Sequence, residues 1–376
     1  MAALWQTSIA TAEELDTPLV VVHRDILRKN IADMADFAKK HGVLLRPHLK
    51  THKTLEIARQ QLEHGAVGLT CAKLGEAEVF LEAGFTDLLI AFPLVGQAKQ
   101  RRLFDLIAHF PHAKIATLAD SRELAGELSA QAAQRGVILP VWVKVDSGLR
   151  RVGVLPGAPA VELAQQVESL PGLQYEGLLT HAGHSYGASS PEQVREIGLQ
   201  EAECLLDSAR KLPAGAGGVS VGSTPTVRVS GAVPGVTEIR PGNYVFCDAT
   251  QVRLGVTTPE RCALRVFARI VSRPAPDRLV IDAGAKTLAL DKGAHGTDAV
   301  AGYGLIVGYE DAVIERLSEE HGVIRIPAAS PLQAGDLLEI IPNHSCPVAN
   351  LTDELFVLDD RGRTETWQVA ARGKTR

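Results

Sequence analysis

No stretch of the 376-residue chain approaches about 18 uninterrupted apolar residues, so no membrane-spanning helix is expected. No run of lysines and arginines occurs, and the formal net charge is −5, so nucleic acid is not an expected partner. The five cysteines are Cys71, Cys204, Cys247, Cys262 and Cys346; the number is odd and no CxxC pair is present. Residues 1–18, MAALWQTSIATAEELDTP, lack an early basic residue and carry acids, so they do not read as a signal or transit peptide. The expectation is a cytoplasmic protein with reduced thiols. Repeats and low-complexity tracts are absent as well. What is present is a globular composition, 45% hydrophobic and 22% charged, too apolar for a disordered chain.

From about residue 43 to 246 short β-like runs alternate with helical patterns. The runs lie at 43–50, 67–72, 87–92, 114–119, 140–146, 175–182, 218–223 and 237–246. Most are nearly continuous in apolar residues, as parallel strands buried on both faces require. Helical spacing fills most gaps. LGEAEVFLEAGF (74–85) groups Leu74, Ala77, Val79 and Leu81, and 191–212 forms a longer amphipathic segment. Eight such units predict an α/β fold with a (β/α)8 TIM-type barrel. The competing open doubly wound sheet is weakened as a dinucleotide binder, because no GxGxxG follows the first strand. Beyond residue 251, alternating β-branched runs at 263–274, 277–284, 321–327, 336–344, 354–360 and 365–371 predict a second, mostly antiparallel β domain. LVVVHRD (19–25) is expected to pair with it. The domains are therefore placed at 25–250 and at 1–24 plus 251–376.

Five clusters could carry chemistry. RPHLKTHK (46–53) closes the first barrel strand, where barrels place their active sites, and alternation sends Arg46, His48 and Lys50 to one side. It is either a Schiff-base lysine with its neighbours or a solvated basic loop. SVGSTPT (220–226) and RPGNY (240–244) follow the seventh strand and occupy the eighth, the usual phosphate region of such barrels; a plain turn is the other explanation. DSGLRRVG (146–153) offers Arg151 either to an anionic ligand oxygen or to a surface salt bridge. THAGHSY (180–186) brings His181, His184 and Tyr186 to one face, as ligand contacts or as partners for buried polar groups. PNHSC (342–346) places His344 and Cys346 at i and i+2, on one face of an extended strand. Imidazole and thiolate suit Zn²⁺, but two ligands leave the shell open, as in catalytic sites. A buried cysteine beside a polar histidine is the alternative.

Together the five motifs resemble the alanine-racemase-like, fold-type III pyridoxal-phosphate enzymes, and within them the D-serine dehydratase / D-threonine aldolase branch. The resemblance runs from about residue 16 to the end. It implies that Lys50, rather than Lys53, carries the cofactor and that Arg151 faces its phenolic oxygen. It implies cofactor-ring and phosphate roles for THAGHSY, SVGSTPT and RPGNYVF. The cofactor residues expected are His48, Lys50, Arg151, Tyr186 (toward the pyridine nitrogen), Gly222, Ser223, Thr224, Gly242, Asn243 and Tyr244. His344 and Cys346 are the expected metal pair, and Lys50, His181 and His184 the expected acid–base groups. Cysteine favours softer Zn²⁺; Mn²⁺ or Mg²⁺ is the alternative. The HxC pair leans toward the dehydratases, whereas SRPAPDRLVIDAGAK (272–286) and AARGKTR (370–376) lean toward the aldolases. The implied activity is water elimination from a D-3-hydroxy amino acid, with retro-aldol cleavage as the alternative. A racemase and a non-catalytic cofactor carrier rank below both. D-serine, D-threonine and D-3-hydroxyaspartate stay open as substrates. Related enzymes complete their sites across a dimer interface, so a homodimer is expected. Asp291, His295 and the EEHG run (319–322) receive no role.

Overall fold

The computed structural model describes residues 16–298 and 300–376, so the N-terminal stretch discussed above lies, up to residue 15, outside the described residues. The chain divides into two compact units. The barrel unit comprises Asp33–Lys50, Ile57–Gly242 and Gly373–Arg376. The β unit comprises, of the described residues, 16–32, Thr51–Glu56 and Asn243–Arg372.

Strand β1 (Leu19–His23) belongs to the β unit. The barrel strands follow: β2 (Leu44–Leu45), β3 (Leu69–Cys71), β4 (Asp87–Pro93), β5 (Lys114–Ala119), β6 (Leu139–Lys144), β7 (Leu173–Leu179), β8 (Gly218–Val221) and β9 (Glu238–Ile239). All eight are parallel in the order β2-β9-β8-β7-β6-β5-β4-β3. The ring closes just past β2, where His48 bridges Thr70 in parallel and the Thr70 N–H donates to the Pro47 carbonyl at 2.8 Å. The (β/α)8 barrel expected from the apolar runs is thus the observed architecture.

The helices begin and end where local chemistry dictates. Ser121 caps Arg122–Arg135 by accepting the Leu124 N–H, and Gly136 ends it in the left-handed conformation. Ser190 caps Pro191–Ala209, with proline in the first turn where its missing N–H costs nothing. In Leu74–Glu82 the core-facing set is Leu74, Ala77, Phe80 and Leu81; Val79, grouped with them by spacing, is only half-buried. No helix among the described residues is long and apolar enough to cross a membrane.

The β unit holds β10 (Leu264–Ala275), β11 (Arg278–Ile281), β12 (Leu305–Ile306), β13 (Val313–Leu317), β14 (Gly322–Arg325), β15 (Leu337–Ile341), β16 (Glu354–Leu358) and β17 (Thr364–Gln368). Its strand order is β13-β14-β11-β10-β1-β16-β17, with β15 on β10 and β12 on β15. Every pairing is antiparallel except β1 with β16. LVVVHRD enters this sheet as β1. Strands β12 and β13 were not expected from the sequence. One expectation is corrected: PNHSC is not extended throughout. Ser345–Leu351 is a helix and His344 is its N-cap residue. Proline is tolerated in a first helical turn, so Pro347 does not stop it.

Candidate functional site

At the C-terminal end of β2 the chain tightens into the 3-10 turn Leu49–Thr51, which carries Lys50 half-buried. The His48 Nδ1 accepts the Lys50 N–H at 3.3 Å, and the His48 N–H donates to the Pro241 carbonyl. Arg46 does not share this role. Its guanidinium donates to Glu238 at 2.8 Å and to Asp87 at 2.5 Å, two carboxylates that neutralise it inside the barrel. The cluster read as one basic group is therefore split, with Arg46 structural. His52 is fully buried, and its Nδ1 accepts the Thr54 N–H.

Two buried cations stand near the other strand ends: Lys144, which was missed from the sequence, and Arg240, which was named there only as part of RPGNY. Lys144 ends β6 with 6% exposure, and burial, reinforced by Arg240 and Arg151, brings its pKa down to about 7. Arg240 follows β9, and its guanidinium donates to the Ser220 hydroxyl and the Thr180 carbonyl. A charged residue closing an apolar run was the available signal for both. Arg151 itself is exposed, at the end of a loop shaped by Asp146, which accepts the Gly148 and Arg150 N–H groups.

Another missed residue organises the phosphate-like loops. Glu201 reaches in from the helix Pro191–Ala209 with no exposure. Its carboxylate accepts the Ala182 N–H at 3.1 Å, the Gly222 N–H at 3.0 Å and the Thr226 hydroxyl at 2.6 Å. It thereby joins the loops beyond β7 and β8. The Gly222 N–H is thus already engaged. Gly222 instead turns the chain at φ +123°, where a Cβ would stand 3.1 Å from the Arg240 nitrogen. Ser223 and Gly242 are buried, and among the described residues no acceptor is found for their N–H groups. The Ser223 hydroxyl joins those of Ser185 and Thr226. Thr224 is buried nearby in sequence.

His181 Nδ1 lies 3.2 Å from the Gly222 carbonyl. His184 sits in the 3-10 turn Gly183–Gly187, where Tyr186 is buried. Burial lowers the His184 pKa, against the pull of Glu201 and Asp146. Gly148 packs on its ring, since a Cβ there would come within 3.0 Å.

In the β unit, Asn243 and Tyr244 are both buried. The Asn243 amide donates to Asp248 at 2.6 Å and to the Ser345 hydroxyl at 2.9 Å. Asp248 also accepts the Ser345 N–H at 3.0 Å, so it holds the first turn of the helix that carries Cys346. His344 Nδ1 lies 2.7 Å from Asp291 Oδ2. Cys346 Sγ lies 3.3 Å from the Thr51 hydroxyl. Burial opposes protonation of His344, yet Cys346, Asp291 and Asp248 carry its pKa up to about 10. Asp291, without a role in the sequence, is thus the partner of His344. The EEHG run is a hairpin turn between β13 and β14, with the Ser318 N–H donating to the His321 carbonyl. His295 falls in the short 3-10 turn Ala294–Gly296.

A parallel-stranded barrel and a mostly antiparallel sheet make this an alanine-racemase-like fold. An alanine racemase from Clostridium difficile superposes with a TM-score of 0.66 at 15% identity over 95% of this chain and all of that one, a likeness of fold. The family model for the alanine racemase N-terminal domain matches residues 22–250, and that for a putative serine dehydratase domain matches 263–358. A D-threonine aldolase from Arthrobacter is 33% identical over 96% of this chain and 94% of its own. A D-threo-3-hydroxyaspartate dehydratase from Delftia is 32% identical over 94% of this chain and 97% of its own. The D-threonine aldolase of Filomicrobium marinum superposes with a TM-score of 0.87 at 30% identity, covering 97% and 98% of the two chains. The chain belongs to the D-serine dehydratase / D-threonine aldolase branch of the alanine-racemase-like pyridoxal-phosphate enzymes, a group of lyases.

Proposed function

We propose that this chain is a metal-assisted lyase that removes water from a D-3-hydroxy amino acid, releasing a keto acid and ammonia. The observation that carries the choice is Cys346 beside His344 at the head of one helix. This is a soft sulfur–nitrogen donor pair suited to Zn²⁺, ahead of Mn²⁺ or Mg²⁺. A cysteine-to-alanine variant of a D-threo-3-hydroxyaspartate dehydratase has been solved in a metal-free form.

Pyridoxal phosphate fits the barrel unit. Buried N–H groups on Ser223 and Gly242 still need an acceptor, as a phosphate would provide, and Lys50 stands at the end of the first barrel strand. Ser223, Thr224 and Gly242, with the backbone of Asn243, would hold that phosphate. Gly222 would shape the loop, and Tyr186 would meet the ring nitrogen. Arg151 would meet the phenolic oxygen, with His48 and Tyr244 completing the set. When bound, the cofactor supplies an electron sink for charge at Cα. A divalent ion on His344 and Cys346 would supply Lewis acidity toward a β-oxygen.

Lys50 would carry the Cα proton, its amine positioned by the His48-braced turn. Glu201 would keep the loops beyond β7 and β8 at fixed separation. His184, its pKa lowered by burial, would be available as a neutral base, and His181 would serve beside it.

Retro-aldol cleavage to glycine and an aldehyde is the second reading, favoured by the 33% identity to the Arthrobacter aldolase. There His181 or His184 would take the β-hydroxyl proton. A barrel-only cofactor carrier does not account for the matched 263–358 segment. We further propose a cytoplasmic homodimer, testable by light scattering on the purified protein. The deciding assay offers D-serine, D-threonine and D-threo-3-hydroxyaspartate, with L-isomers as controls, to the cofactor- and zinc-loaded protein. Keto acid with ammonia is the expected product pair. Glycine with aldehyde would replace the dehydratase reading by the aldolase one.

A further inference from the structure

We infer that Asp291 is a positioning residue. It holds His344 by Nδ1 and thereby offers the Nε2 edge of the ring, together with the Cys346 sulfur, to a divalent cation. The inference rests on the reading that this chain binds metal through His344 and Cys346.

The geometry is specific. An ionised carboxylate can only accept, so the 2.7 Å contact with Asp291 Oδ2 keeps a proton on Nδ1 and leaves Nε2 as the nitrogen that a cation, displacing any proton there, can take. A histidine that ligates through one nitrogen usually donates from the other to such a partner. Asp291 is itself held in place. The Asn343 amide donates to the Asp291 carbonyl at 3.0 Å and to the Gly302 carbonyl at 2.9 Å. Asn343 is buried and immediately precedes His344, so one short stretch fixes both the ring and the loop that supports it. Its own carbonyl accepts the Thr250 hydroxyl at 2.6 Å. On the residue that follows His344, Asp248 accepts the Ser345 N–H.

A direct ligand role for Asp291 fits less well. Among the described residues no three or more His, Cys, Asp or Glu side chains gather as a metal cage. A purely structural role is also a weak explanation. The Asp291 side chain is 42% exposed, and ion pairs that open to solvent contribute little to stability.

The test titrates Zn²⁺ into metal-stripped, cofactor-loaded protein against a chromophoric chelator, for wild type, Asp291→Ala, Asp291→Asn and His344→Ala. Asp291→Ala should bind zinc about 10- to 100-fold more weakly than wild type, since this is the usual cost of losing such a partner. Asp291→Asn should lie between them, because its amide oxygen still accepts the Nδ1 proton. His344→Ala should be the weakest binder. With saturating Co²⁺, Asp291→Ala should keep the thiolate-to-cobalt absorption, which shows the fold and Cys346 intact. Zinc affinity in both Asp291 variants equal to wild type, with loss in His344→Ala, would overturn the inference alone. Wild type that takes up no zinc would overturn the metal reading and the inference with it.

Discussion

Lys144 puts a titratable amine where water cannot follow. Its folded pKa is about 7, against 10.5 for an unburied lysine, with burial the main cause and Arg240 and Arg151 adding to it. Between those values the unfolded chain binds more protons than the folded one, so this residue makes stability rise with pH across that window. Below about pH 7 both states are protonated and the folded state carries a buried charge. Lys144→Met should therefore raise the melting temperature most near pH 6, by at most a few kcal/mol in stability, with the gain shrinking toward pH 10. Melting curves at several pH values check this, and a gain independent of pH would refute it. Lys50 makes the complementary prediction. Borohydride fixation of the bound cofactor, followed by peptide mapping, should place it on Lys50 and on neither Lys53 nor Lys144. Lys50→Ala should lower kcat by roughly 10²- to 10⁴-fold or more. The place of Lys50 just past the first barrel strand was legible from its motif. Lys144 and Glu201 were not, nor was the part that Arg240 plays within RPGNY, because their importance comes from partners distant in sequence. Glu201 meets Ala182, Gly222 and Thr226 only once the barrel has formed.

The helix Ser345–Leu351 shows what element-level reading missed. HxC suggested an extended strand because the β-like run at 336–344 leads into it; His344 is indeed extended (φ −143°, ψ 106°), but a helix begins at Ser345. The overlooked signal was Pro347 in a first turn, followed by apolar Val348 and Leu351. The barrel strands were far easier, since parallel strands buried on both faces have nearly continuous apolar sequences. The two-residue β12 and the half-exposed β13 carry no comparable pattern. The helix start depends on Asp248, which accepts the Gln251 N–H of its own helix and the Ser345 N–H of the other. Asp248→Ala would leave both donors and the Asn243 amide short of a buried acceptor. The expected cost is about 1–3 kcal/mol, with weaker zinc retention. Ser121→Ala, which removes an N-cap far from the metal pair, should cost about 1 kcal/mol and leave zinc retention unchanged. Equal zinc retention in the two variants would count against Asp248 as the brace of this turn.

At the scale of the whole chain, the β unit is built from both ends of the sequence. β1 lies between β10 and β16, antiparallel to one and parallel to the other, and Val20, Val21 and Val22 are all buried. That LVVVHRD is a strand was readable. Its parallel pairing with β16 was not, because residues 21 and 356 have no local reason to meet. A chain beginning at Arg24 would lose the burial of these valines, roughly 1.5–3 kcal/mol each. It would also leave two unpaired strand edges in the middle of a sheet, open to association with other chains. Set against a typical total stability of about 5–15 kcal/mol, that loss is enough to unfold the β unit. The barrel strands make all their pairings among themselves, so they are not undone by the same cut. The truncated protein should therefore be poorly soluble or lose near-UV circular dichroism, while part of its far-UV helical signal survives. A soluble truncated chain with native near-UV signal and zinc affinity would show that β1 is dispensable and that β10 and β16 can close the gap without it.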